Sequence, residues 1–343
     1  MTINQPPLQP TPVGAFRFNT DSSKLESYDG NQWVNITSDT PDKQTGGTRG
    51  LLMGGNNPGL VDIIEYIQIN TTGNSTDFGN LTAAHARGSS LGSRTRGIRA
   101  GGYNPSSINT IEFVTFSSTG DAADFGDLNN AVRFPAPMSN TTRGVFAGGY
   151  TPTNTDAIDY ITIAATGNAV DFGNLSFARN RSAGVESPTR GIIAGGAVPS
   201  PSPYDEGGNI IDYITISTTG NSSDFGDLTF PKFQYEAAGN ATRGICYAGR
   251  TQPAGGVINN IDYITIATLG YAIDFGESSV TLAANAVCSS STRVVSGGGA
   301  NPSLTNLIEY VHIMTTGNGV DFGDMTHAPQ NLSGCSNGHG GLG

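Results

Sequence analysis

After Thr142 the chain reads TRGVFAGGYTPTNTDAIDYITIAATGNAVDFGN, and its apolar positions fall into short runs broken by Gly, Pro and Asn. Gly144 to Gly148 is a first β-type stretch ending in a Gly-Gly doublet. Ile158 to Ile163 (IDYITI) is a second, rich in β-branched and aromatic residues. Its faces carry Ile158/Tyr160 and Ile161/Ile163, so both are apolar, as in a strand covered on two sides. A turn at Thr166-Gly167-Asn168 leads to a third stretch, Val170-Asp-Phe-Gly, and Ser182 to Ser187 supplies a fourth, made of small residues.

The pattern repeats. Asp-Phe-Gly begins at Asp77, Asp124, Asp171, Asp224, Asp274 and Asp321, and Thr-Arg recurs in step at Arg49, Arg96, Arg143, Arg190, Arg243 and Arg293. In a protein kinase a single Asp-Phe-Gly holds Mg²⁺ beside the nucleotide phosphates. Six copies, with no His-Arg-Asp loop and no Walker-A sequence, make it a repeat marker and exclude phosphoryl transfer. Four short strands per repeat of about 50 residues is the pattern of a β-propeller blade, so six repeats predict six blades. The small-residue strand suits the crowded inner position, and the Asp-Phe-Gly strand the wide outer edge.

Spacing adds to this. From the Gly of each Asp-Phe-Gly to the next repeat's Arg is always 17 residues, as from Gly79 to Arg96. From the Arg to its Asp is 28 residues in four repeats, 34 in the fourth (Arg190 to Asp224) and 31 in the fifth (Arg243 to Asp274). Length therefore varies on one side of the disc, where binding loops are expected. The long loops are Pro199 to Gly208 and Gln252 to Val257, with Tyr204, Asp205 and Glu206 as candidate partner contacts. At the C-terminus, Gln330 to Asn337 occupies an inner-strand position with no repeat of its own. It is expected to complete the first blade and close the ring.

Residues 1–13 include the Pro-rich NQPPLQPTP, expected to be an extended arm. Residues 14–40 read as a small β module of three strands, residues 41–47 as a linker, and residues 48–343 as the propeller. The module is too short to bury its own core, so Phe16, Phe18, Tyr28 and Trp33 are candidate attachment residues.

The chain has 343 residues, 48 of them Gly, and a net charge of −11. Its 17 Lys and Arg are spread singly, which predicts no nucleic-acid partner. No segment predicts a secretory leader or a membrane insertion. The repeated Asp and Arg are expected to pair as charge-assisted bonds around the ring. A third acidic column, Glu65, Glu112, Asp159, Asp212, Asp262 and Glu309, is a candidate to share those Arg. Neither column forms a Ca²⁺ loop of the Asp-x-Asp-x-Asp-Gly kind. His85, His312, His327 and His339 share no ligand spacing and are expected in solvated or loop positions. Cys246, Cys288 and Cys335 are expected as packing groups. No catalytic, cofactor or metal residues are assigned.

The Gly-Gly doublet, the aromatic residue of the next strand, and a basic residue soon after the outer strand (Arg87, Arg133, Arg179) resemble the kelch repeat. The outer-strand Trp of that repeat is replaced by the Phe of Asp-Phe-Gly. The composite of Arg-Gly-Ile-x-Ala-Gly-Gly, Ile-Asp-Tyr-Ile-Thr-Ile and Asp-Phe-Gly-Asp-Leu resembles the repeats of virion-associated proteins of marine cyanophages. Residues 14–36 are similar to a short module of phage tail-fibre and other appendage proteins. The resemblance implies an all-β, six-bladed kelch-like β-propeller closed by a C-terminal inner strand and preceded by a small β-hairpin attachment module. It also implies a non-enzymatic structural protein located in the virion and assembled in the host cytoplasm, as a capsid decoration or a tail appendage. Other virion proteins would be its partners through the N-terminal segment. A host-surface glycan or protein, and further copies in a trimer, are the other expected partners. The alternatives are a propeller enzyme acting on glycans and a cytoplasmic kelch-type adaptor.

Overall fold

The computed structural model describes residues 11–19, 24–35, 47–198, 208–251, 255–300 and 302–342. The chain divides into two compact units, Met1–Gln44 and Thr45–Gly343. In the first, Phe16–Asn19, Lys24–Tyr28 and Trp33–Asn35 form a three-stranded antiparallel sheet. Its register puts Phe16 beside Ser27 and Val34 on one face, with Phe18 two residues along the same face. Arg17, Glu26, Tyr28 and Trp33 take the other face. There the Arg17 guanidinium bonds Glu26 at 2.7 Å and lies 4.3 Å over the Trp33 ring.

The second unit is all-β, a propeller-like set of small antiparallel sheets. The sheets are numbered here by their Thr-Arg strands: Arg49–Asn56 in sheet 1, Arg96–Tyr103 in sheet 2 and Arg143–Ala147 in sheet 3. Arg190–Ala194 belongs to sheet 4, Arg243–Thr251 to sheet 5 and Arg293–Gly297 to sheet 6. Sheet 3 is representative, with strand order Ala136–Ser139, Arg143–Ala147, Ala157–Thr162, Val170–Asn174. In sheet 1 the first strand is Ser333–Ser336, which pairs antiparallel with Arg49–Asn56, Cys335 opposite Leu51. Each apolar cluster spans two sheets: Phe78 packs with Val114 and Phe116 of sheet 2, and Phe322 packs with Ile67 and Ile69 of sheet 1.

The repeated Arg does not meet the repeated Asp. Arg143, Val145, Tyr160 and Phe172 lie on one face of sheet 3, whereas Asp159 and Asp171, paired with each other, lie on the opposite face. The Arg143 guanidinium instead sits 4.2 Å over the Tyr160 ring, which meets Phe172 edge-on at 6.0 Å. It also donates to the Ile216 carbonyl of sheet 4 at 3.0 Å. The same three-tier stack and inter-sheet bond recur at Arg49, Arg96, Arg190, Arg243 and Arg293. The Asp of the triplet is exposed. Asp77→Asn should thus shift stability by no more than about 0.5 kcal/mol. Arg143→Gln, losing the stack and the inter-sheet bond, should cost about 1–2 kcal/mol. Denaturant melts of both variants check this contrast.

Candidate functional site

The acidic column does other work than sharing the Arg. Glu112 is buried, accepts bonds from Thr82 N at 2.8 Å and Thr82 Oγ1 at 2.7 Å, and lies 2.7 Å from His85 Nε2. Those donors lie in the segment that crosses from sheet 1 to sheet 2. Asp212 likewise holds Ser176 and Arg179, Asp262 holds Thr229 and Lys232, and Glu65 holds Thr326 and His327. Each acid thus ties down the crossing of constant length that precedes its sheet, which gives the spacing of 17 a physical cause. The cation is not constant: among the described residues Asp159 is met by Asn129, at 3.2 and 2.7 Å, and by no cation. Burial there raises the Asp159 carboxyl above the usual carboxylate range.

His85 and His339 are therefore buried rather than solvated, because they fall where the repeat supplies a carboxylate or a carbonyl. Burial lowers His85 to about 3. His339 bonds Glu186 at 2.5 Å and the Gly92 carbonyl at 2.8 Å; His312 is exposed as expected. All three cysteines are buried free thiols, and burial pushes Cys246 and Cys288 up to about 12.

A cavity of about 80 Å³ lies among the inner strands. One end is built from Arg87, Phe134, Arg181, Gln234, Ala284 and Asn331, one residue per crossing segment. Their backbones bond in a cycle: Phe134 N to Arg87 O at 2.8 Å, then Arg181 N to Phe134 O at 3.2 Å, and onward to Arg87 N with Asn331 O at 2.9 Å. All six hold φ between 56° and 64°, the left-handed region that costs a non-glycine residue about 1–2 kcal/mol. At the other end the C-terminal turn Gly340–Leu342 is buried, and Arg94 holds the Leu342 carbonyl at 2.7 Å.

Between the ends, Glu236 lines the cavity and accepts from Val287 N at 2.9 Å and Gly334 N at 3.3 Å. Burial raises its carboxyl to about 8, against the two backbone bonds and Arg99. Its folded value exceeds the ~4.3 of an exposed glutamate. The stabilisation linked to its proton is complete below that value and lost as pH rises through about 8. Relative to Glu236→Gln, the wild-type melting temperature should therefore fall between about pH 5 and pH 9.

The candidate residues assigned from sequence divide. Tyr204, Asp205 and Glu206 lie outside the described residues, as does the 252–254 part of the second long loop. Phe16 and Phe18 are 68% and 62% exposed, side by side, while Tyr28 and Trp33 are half-buried on the opposite face. Arg87, Arg133 and Arg179, grouped above as one basic position, sit in three different columns: Arg179 is buried on Asp212, Arg87 belongs to the left-handed ring, and Arg133 directly precedes it. The chain matches no family model and no curated protein.

Proposed function

We propose that residues 48–343 form a closed six-bladed kelch-like β-propeller. In this reading the protein is a non-enzymatic virion component of a tailed phage, anchored by its N-terminal segment and presenting the propeller for binding. The closed ring is supported by the pairing of Ser333–Ser336 with Arg49–Asn56 and by the cycle of six backbone bonds around the cavity end. The virion location is supported by the resemblance of the repeats and of the N-terminal module to phage particle proteins. Anchoring rests on one observation, the apolar face of the module. Phe16, Phe18 and Val34 are 68%, 62% and 43% exposed on a single face of a three-stranded sheet that has no second layer among the described residues of its unit. Three strands with such a face need a covering surface, and another virion protein supplies one.

The test is incorporation. Mass spectrometry and cryo-EM of purified particles should find the full-length protein, and a variant lacking residues 1–40 should be lost from particles while remaining folded. Phe16→Ser with Phe18→Ser should reduce incorporation, and Trp33→Ser, if folded, should reduce it less. Particles that retain the deletion variant at full occupancy overturn the anchoring role.

A further inference from the structure

Most cations of this acidic chain have a structural task. Six arginines form the three-tier stacks, and Arg99, Arg179 and Lys232 are buried among fixed partners. Arg87 and Arg181 line one end of the cavity, and Arg133 lies beside Arg87 against the same Tyr103 ring, whereas Arg250 nearby donates to the Gly255 carbonyl at 3.1 Å. Arg87 and Arg181 belong to the ring of left-handed residues, Arg133 precedes it, and Arg250 pairs with Phe233 beside Gln234.

The first three arginines alternate with aromatic rings. Following the stack, Arg133 lies 4.5 Å from the Tyr150 ring and 5.2 Å from Tyr103. Arg87 then lies 4.7 Å from Tyr103 and 5.7 Å from Phe134, and Arg181 lies 4.6 Å from Phe134. Ring faces hold a guanidinium in place and leave its N–H edge free to donate, so the three donors are preorganised. Among the described residues no carboxylate lies within 4 Å of any of them. The Nε atoms of Arg87 and Arg181 are buried without a hydrogen-bond partner. Such atoms are costly to leave unpaired. Like charges also oppose one another here: burial first, then Arg87, Arg133 and Arg250, lowers Arg181 from its ordinary value.

The side chains are kept at a conformational cost. Glycine would adopt the left-handed ring positions without strain, and this chain has 48 glycines. Yet the ring carries Arg87, Phe134 and Arg181 at φ of 64°, 58° and 57°. Gln234, Ala284 and Asn331 share this conformation, so the strain belongs to the ring as a whole, and at Arg87 and Arg181 it holds a cation beside the cavity.

We propose that this end of the cavity is an oxyanion site, in which the guanidinium edges of Arg87, Arg133 and Arg181 take the carboxylate, phosphate or sulfate group of a small ligand. A compact ligand is required, because an extended polyanion would run onto a surface belonging to a chain of net charge −11. The cavity beneath, about 80 Å³, has room for several waters and so for one tetrahedral oxyanion. The C-terminal turn fills the other end, so the ligand enters from the arginine side. The site is built from residues of the second unit alone and does not depend on the protein being in a virion.

Isothermal titration of the full-length protein at about 0.15 M salt tests it, with sodium phosphate, sodium sulfate, a uronic-acid monosaccharide and a neutral monosaccharide as probes. One saturable site for at least one oxyanion probe, and none for the neutral sugar, is expected. Arg181→Gln and Arg87→Gln should each weaken that binding at least tenfold with melting temperatures close to wild type; Arg17→Gln in the N-terminal module should leave it unchanged. Tighter binding of the uronic-acid sugar than of inorganic phosphate would assign a glycan source, and the reverse order a free oxyanion; both uphold the site. Absence of saturable binding by every oxyanion probe, or equal weakening in Arg17→Gln, overturns it.

Discussion

Removing residues 325–343 is expected to abolish the soluble folded state of the second unit. The deleted segment carries Met325, Leu332 and Leu342, all at most 4% exposed, and the strand Ser333–Ser336 that pairs with Arg49–Asn56. Three such side chains represent about 5–9 kcal/mol of burial. The deletion also removes Thr326 and His327 from the buried Glu65, leaving it the Ser75 hydroxyl, and breaking that buried pair costs up to about 3–5 kcal/mol more. Together these are comparable to the ~5–15 kcal/mol that stabilises a whole domain. The Arg49–Asn56 edge, left open, is a template for aggregation. Soluble yield, size-exclusion profile and a circular-dichroism melt read the outcome; a soluble truncated protein melting with the full chain would contradict the role of the strand.

The second large effect is expected from Gly173→Ala. Gly173 follows Phe172 in the outer strand of sheet 3 with φ of 149°, a region that costs a side-chain-bearing residue about 1–3 kcal/mol. A Cβ there would also stand 2.4 Å from the Gly220 carbonyl oxygen of sheet 4. That approach cannot relax cheaply, because Gly220 N donates to the Phe172 carbonyl at 2.8 Å and locks the two backbones together. Strain and overlap together should cost about 2–5 kcal/mol. The same contact recurs at every sheet junction, from Gly79 against Gly120 to Gly323 against Gly73, so each of the six should respond similarly. Gly59→Ala, where nothing lies within 4 Å, is the control and should be close to neutral. Denaturant midpoints compare them.

The glycine of Asp-Phe-Gly is thus the place where adjacent sheets touch, and its phenylalanine fills the junction beside it. The strands and their order within a repeat were legible, because alternation and turn residues are local properties. The pairing of repeated Asp with repeated Arg was not correct, although strand parity argued against it. Arg143 and Tyr160 share a face by counting residues in register, and Asp171 falls on the other. Two columns that recur together need only share a repeat, not a face. The same parity divides the N-terminal aromatics, leaving Phe16 and Phe18 exposed together and turning Trp33 toward Arg17.

The buried histidines and the arginine end of the cavity were not legible for a different reason. His85 looks like an isolated polar residue until the fold sets Glu112, 27 positions later, against it. Arg87 and Arg181 share a repeat column, nine residues before Arg96 and Arg190, but Arg133 stands ten before Arg143, and the spacing marks no binding motif. They converge because crossing segments of successive sheets are linked by backbone bonds, from Phe134 to Arg87 and from Arg181 to Phe134. The sequence by itself determined the repeat, its strands, the constant crossing length and the small-residue inner positions, all set by neighbours within about 50 residues. Which side chains meet across sheets, and with what charge left unpaired, was decided only by the tertiary structure. Packing of whole sheets sums the twist and register of many strands, and no single window of the chain contains that sum.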